Sequence, residues 1–168
     1  MALSMYQASV PAFVQMLSAL SRVLDKAADF AAAKKVDPAV LLASRLAPDM
    51  FPLTRQIQIG ADFAKGPVAR LAGLEVPKYD DNETTIDALK ARIAKTLDYV
   101  KSFKPEQIDG SEARTINLTV GGQPLTLTGQ DYLVNFALPN FYFHVTAAYA
   151  ILRHNGVEIG KRDYMGRS

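Results

Sequence analysis

From Tyr132 to Leu152 the chain reads YLVNFALPNFYFHVTAAYAIL, without a single Asp, Glu, Lys or Arg. A run this long and apolar either crosses a bilayer or forms a helix buried on more than one side. Asn135, Asn140, His144 and Thr146 argue against lipid, as does Pro139 in the middle, and no other segment offers it a membrane partner. The reading is therefore a doubly buried core helix, with no membrane involved. Such a helix needs several apolar neighbours, and the rest of the chain supplies them.

Ser4 followed by Gln7 forms a capping box, after which Val10, Phe13, Leu17, Leu20 and Leu24 recur at spacings of three and four. These predict a first helix over 4–33, with Pro11 bending its first turns or marking a later start. Asp37-Pro38 opens a short helix through Leu46. The second long helix is predicted over 52–71, and Gly66-Pro67 is expected to kink or shorten it. It carries two apolar faces with Arg55, Gln58, Asp62 and Lys65 in a stripe between them. Thr84 and Asp87 mark the start of a third, in which Ile86, Leu89, Ile93, Leu97 and Val100 define one face. Its charged residues, Arg92 among them, read as a solvated face.

The period then changes. Ile116, Leu118 and Val120 alternate with polar residues, Gly121-Gly122 follows, and Leu125 and Leu127 alternate with threonines. This is a hairpin pattern. A lone hairpin is marginal in water, so it must pack on the helices or extend a sheet in another subunit. Thr128 caps the last helix, which ends at His154 before Asn155-Gly156 and should kink at Pro139. The tail from Gly156 reads as irregular. The sum is an all-α antiparallel four-helix bundle with one short extra helix and a small β-hairpin insertion, in one domain spanning 1–168.

Composition narrows the chemistry. The 168 residues include no Cys and two His, His144 and His154, which excludes disulfides, thiolate metal sites and any site of three imidazoles on one chain. Nineteen basic against 17 acidic residues leave a net charge of +2. That excess is too small, and Lys34-Lys35 and Lys161-Arg162 are too short, for a nucleic-acid partner. Serine-hydrolase, zincin and dinucleotide motifs are absent, and G-V-E-I-G-K-R lacks the spacing and hydroxyl of a phosphate loop. The N-terminal segment has no basic region followed by a cleavage site, so no signal peptide is expected and the chain reads as cytoplasmic.

Projected at about 100° per residue, the last helix places Asn140, His144, Ala148 and Ile151 on one inward stripe. Tyr142, Thr146, Tyr149 and Arg153 fall opposite, a tyrosine-rich face suited to an interface. His144 reads either as a buried imidazole satisfied by a polar neighbour or as a ligand or base. Asn140 reads as a partner for a carbonyl freed near Pro139 or as a pocket residue. Asp62 reads as an ion-pair partner of Lys65 or Arg55, or as a buried acid. His154 reads as a favourable charge at a helix end.

The run H-V-T-A-A-Y-A-I-L-R-H-N-G, from His144 to Gly156, resembles the end of the last helix in the DinB-like superfamily. The longer LPNFYFHVTAAYAILRHNG with GKRDY is similar to a branch known as a domain of unknown function. The resemblance implies a four-helix bundle, commonly dimeric, with a metal site between helices. The family pattern has H-x-x-x-H on the last helix and a third histidine on the second long helix. Here Asn140 and His144 occupy the pair and Gln58 matches the third place. Amide oxygens are poor substitutes for imidazole toward Zn²⁺, Ni²⁺ or Fe²⁺. The expectation is a metal-degenerate, non-catalytic homodimer without a cofactor. It would use Tyr142, Tyr149 and Arg153 at its interface and offer a small polar pocket at His144, Asn140, Gln58 and Asp62 to a small-molecule ligand. Two alternatives stand beside it. One is a metal-dependent hydrolase or thiol-conjugating transferase using His144 with oxygen ligands. The other is a protein-interaction module.

Overall fold

A computed structural model of the chain describes residues 3–167. Helix α1 spans Met5–Lys34, and Ser4 and Gln7 close the expected capping box on it. Pro11 lies inside α1 without delaying its start. Lys35, at φ 54°, ends it in the left-handed region. Helix α2 covers Pro38–Ala43 behind the Asp37 cap, three residues shorter than expected, and leaves Leu46 exposed in the following loop. Helix α3 runs Leu53–Leu71 and continues through Gly66-Pro67 rather than ending there. Helix α4 spans Ile86–Lys101, capped by Thr85 and not Thr84. A one-turn helix α5 at Pro105–Ile108, absent from the sequence reading, follows it.

Strands β1, Thr115–Val120, and β2, Gln123–Thr128, pair antiparallel with Val120 opposite Gln123. Gly121 and Gly122, at φ 56° and 80°, make the two-residue turn that needs positive φ at both positions. Ile116 anchors the hairpin in the core, while Val120 at its tip is exposed.

The last helical stretch is not one kinked α-helix. It begins with α6, Gly129–Asp131, capped by Thr128 as expected, widens into a π-helical segment over Tyr132–Ala137, and resumes as α7, Leu138–His154. Proline at 139 has no N–H for the carbonyl four residues back, and its ring would collide with it. The wider π turn relieves that conflict, and Pro139 then sits in the first turn of α7, where a missing N–H is tolerated. Gly129 is obligatory at the junction with β2, because a Cβ there would stand 2.0 Å from the Ser111 carbonyl oxygen.

The tail is also more ordered than its sequence suggests. Val157 and Ile159 are buried, and a final turn, α8 at Lys161–Tyr164, lies on α1. Lys26 pairs with Asp163 at 2.6 Å, and Gln15 donates to the Met165 carbonyl at 2.9 Å.

The four long helices form a ring in which α1 touches α4 and α7, and α3 touches the same two from the other side. Phe13 of α1 meets Phe141 of α7 edge-on at 4.9 Å in the interior. Both rings are completely buried, as are Leu17, Ile57, Leu89 and Ile93, so all four helices contribute to one apolar core. Among the described residues no helix is long and apolar enough to cross a membrane.

Candidate functional site

Helix α3 carries two buried amides two residues apart, and they serve different neighbourhoods. Gln56 faces α7. Its Oε1 accepts a 2.7 Å hydrogen bond from His144 Nδ1, while its Nε2 donates to the Phe51 carbonyl at 3.1 Å. The Phe51 carbonyl therefore orients the amide, and an amide oxygen can only accept. Nδ1 must carry the imidazole proton, which leaves Nε2 with the free lone pair. Around the ring stand Phe63, stacked at 6.0 Å, and Phe143, edge-on at 5.2 Å. Burial, reinforced by the nearby Arg55 charge, holds the His144 pKa below its ordinary value. The imidazole is thus neutral at pH 7, in one tautomer, and in a largely apolar setting.

Gln58 does not join it. Its Nε2 donates to Glu83 Oε2 at 2.8 Å, and its Oε1 accepts from Arg55 at 3.3 Å. It belongs to a network centred on Arg92 of α4, whose side chain is 2% exposed. Arg92 pairs with Asp62, Asp81 and Glu83, each at 3.0 Å, and also donates to the Asp80 carbonyl. The expected solvated face of α4 is corrected at this position, because these ion pairs make burial of the guanidinium possible. Burial pushes the Glu83 carboxyl upward, but hydrogen bonds from Arg92 and Gln58 outweigh it and hold the pKa below its ordinary value. Asp62 also pairs with Lys65 at 2.5 Å, the ion-pair reading of that residue. The Tyr79 ring sits among three cations, with Lys95 Nζ at 4.2 Å, Lys65 Nζ at 4.6 Å and Arg92 at 5.4 Å.

Asn140 lies in the first turn of α7. Its Nδ2 donates to the Phe136 carbonyl at 2.7 Å, inside the helical stretch disturbed by Pro139. It also lines a cavity of 530 Å³ between α3, the hairpin tip and the π-helical segment. Asp62 lines the same cavity, while His144 lies outside its lining, behind Phe63, which touches both. The four expected pocket residues therefore divide. Asn140 and Asp62 share a cavity, His144 sits beside it with Gln56, and Gln58 belongs to the Arg92 network.

Among the described residues no group of three or more His, Asp or Glu could hold a metal ion. The imidazole's neighbours are an amide and two phenyl rings, and the Arg55 charge that opposes its protonation opposes a metal cation in the same way. Gln56 was not singled out in the sequence. The only available signal was its separation by two residues from Gln58, which leaves the helix register open.

The expected interface face is also divided. Tyr142 is 38% exposed, and Phe143 beside it is 56% exposed. Tyr149 instead packs edge-on against Tyr164 of α8 at 5.6 Å, and Thr146 shares a 2.9 Å hydrogen bond with the same tyrosine. Arg153 is exposed near the end of α7.

Residues 5–165 match the family model described as Domain of unknown function (DUF1993). The crystal structure of a DinB family member protein from Shewanella denitrificans is 49% identical to this chain. The match has a TM-score of 0.87 and covers 96% of this chain and 91% of that one. No curated protein matches.

Proposed function

This chain belongs to the DUF1993 family of DinB-like bundles, and from that premise we propose that it is a metal-degenerate, non-catalytic member that acts by binding. Its ligand is a small molecule held in the cavity beneath the hairpin, and its working form is a cytoplasmic homodimer. The observation that carries this reading is the setting of His144. Its imidazole is held by the Gln56 amide and flanked by Phe63 and Phe143, with no carboxylate among its hydrogen-bond partners. Catalytic zinc ordinarily takes three protein ligands and an open position, and this arrangement offers one imidazole.

Elemental analysis of untagged protein purified without chelator, beside a His144→Ala control, tests the reading. Substoichiometric Zn, Ni and Fe in both proteins is the expected outcome. One ion per chain that disappears in the control would overturn it. The dimer rests on Tyr142 and Phe143, exposed along a shallow apolar groove with Leu46 and Met50. Light scattering at micromolar concentration should report a dimer that Tyr142→Lys shifts toward monomer. A wild-type monomer would remove that part of the proposal.

A further inference from the structure

The cavity beneath the hairpin has an uneven charge. Three ionised side chains line it: Asp62, Lys65 and Arg70. Asp62 is already taken by Lys65 and by Arg92. Arg70 pairs with no carboxylate among the described residues. Its guanidinium makes one hydrogen bond, to the Tyr132 hydroxyl at 3.1 Å, and lies 5.8 Å from the same ring. A guanidinium has five N–H donors in a planar fork, so most of this one's donor capacity is unused. Gly66 leaves it room to fold back along α3, since a Cβ at that position would meet Arg70 Nη1 at 2.7 Å. The remaining wall is largely apolar and includes Phe63, Phe136, Val76 and Leu118. A volume of 530 Å³ lies within the range of small-molecule sites, about 300–1,000 Å³.

We propose that this cavity binds a small organic monocarboxylate, its acid group on the Arg70 fork and its apolar body against Phe63 and Phe136. The fork matches a carboxylate in two parallel hydrogen bonds. Asp62 and Lys65 on the same wall neutralise each other, so Arg70 alone offers an unpaired charge there, and it matches a single negative charge on the ligand. This inference rests on the ligand-binding reading above and adds the chemical class of the ligand.

Calorimetric titration of the full chain with 2-naphthoate, its neutral analogue 2-naphthamide, and 2-naphthyl phosphate tests it. The acid should bind about tenfold or more tighter than the amide, the effect of one charge-assisted contact, and tighter than the phosphate. Arg70→Met should erase the preference for acid over amide, and Arg70→Lys should reduce it without erasing it. Tyr132→Phe removes the Arg70–Tyr132 bond but leaves the guanidinium, and should keep the preference. It therefore separates loss of the cation from loss of that bond, and if Arg70→Met fails to fold, an undiminished preference in Arg70→Lys would overturn the assignment to Arg70. Equal binding of acid and amide would overturn the carboxylate assignment and leave the cavity reading standing. Tighter binding of the phosphate would overturn the single-charge assignment. Saturation by none of the three at millimolar concentration would overturn the cavity reading together with the inference.

Discussion

The two polar regions flanking α3 are built from similar side chains and organised in opposite ways. Around Arg92, three carboxylates, an amide and three further cations form a connected set that draws the 79–83 loop onto α3 and α4. Around His144 there is one hydrogen bond, to Gln56, inside an aromatic wall. Gln56 and Gln58 are two positions apart, so about 200° of helix rotation sends them to different neighbours. The charged region has the electrostatics usually sought in an active site, yet every carboxylate in it is already neutralised by a cation. The sparse region holds a buried imidazole whose hydrogen-bond partner among the described residues is an amide, not an acid. A pairing network of this kind ties a loop to two helices, whereas the imidazole has one amide partner and two aromatic neighbours.

The contrast can be broken at either end. The largest effect is expected from Arg92→Met, which leaves Glu83 nearly buried without its cation and should cost about 3 kcal/mol of unfolding free energy. Urea denaturation measures it, and a loss below about 1 kcal/mol would mean that the network does not hold the loop. His144→Ala should cost about 2 kcal/mol, through the orphaned Gln56 oxygen and the space vacated between Phe63 and Phe143. If it were neutral, the imidazole would not be a packed element of the core.

The regions should also separate by pH. His144 has a folded pKa below the ordinary 6.5, so the unfolded chain takes up that proton first. Its contribution is fully present above pH 6.5 and is lost as pH falls from there toward the folded pKa. Glu83 has a folded pKa below the ordinary 4.5, so its contribution is present above that value and is lost as pH falls through its folded pKa. Stability against pH should therefore show two steps, each no steeper than about 1.4 kcal/mol per pH unit. His144→Gln should flatten the first step and Glu83→Gln the second. A curve unchanged by both variants would sink the distinction. The smallest effect is expected from Asn140→Ala, about 0.5–1 kcal/mol, since it removes one partly buried side-chain bond to the Phe136 carbonyl. A larger loss by thermal melting would make the π-helical segment depend on that bond.

Local chemistry was legible in the chain. The Ser4–Gln7 capping box, the Asp37 and Thr128 caps and the Gly-Gly hairpin depend on residues a few positions apart, and each formed where its pattern stood. The three-and-four periodicity likewise announced the first three long helices, because the α-helical repeat brings such residues onto one face, and the uncharged run between the Thr128 cap and Asn155-Gly156 announced the last. The pairings that define the candidate site depend on helix packing instead. Gln56 meets His144 across 88 positions of sequence, and the choice between Gln56 and Gln58 rests on the rotation of α3 against α7. Arg92 looked like one more solvated charge until the 79–83 loop folded over it and supplied its carboxylates. Tyr149 has Tyr164 as an edge-on neighbour only because the tail packs back onto α7. The chain's local patterns specify which segments are helices and where they begin. Which buried polar groups meet is specified only when those helices pack, because a hydrogen bond needs its two atoms within about 3 Å and no local periodicity carries that distance.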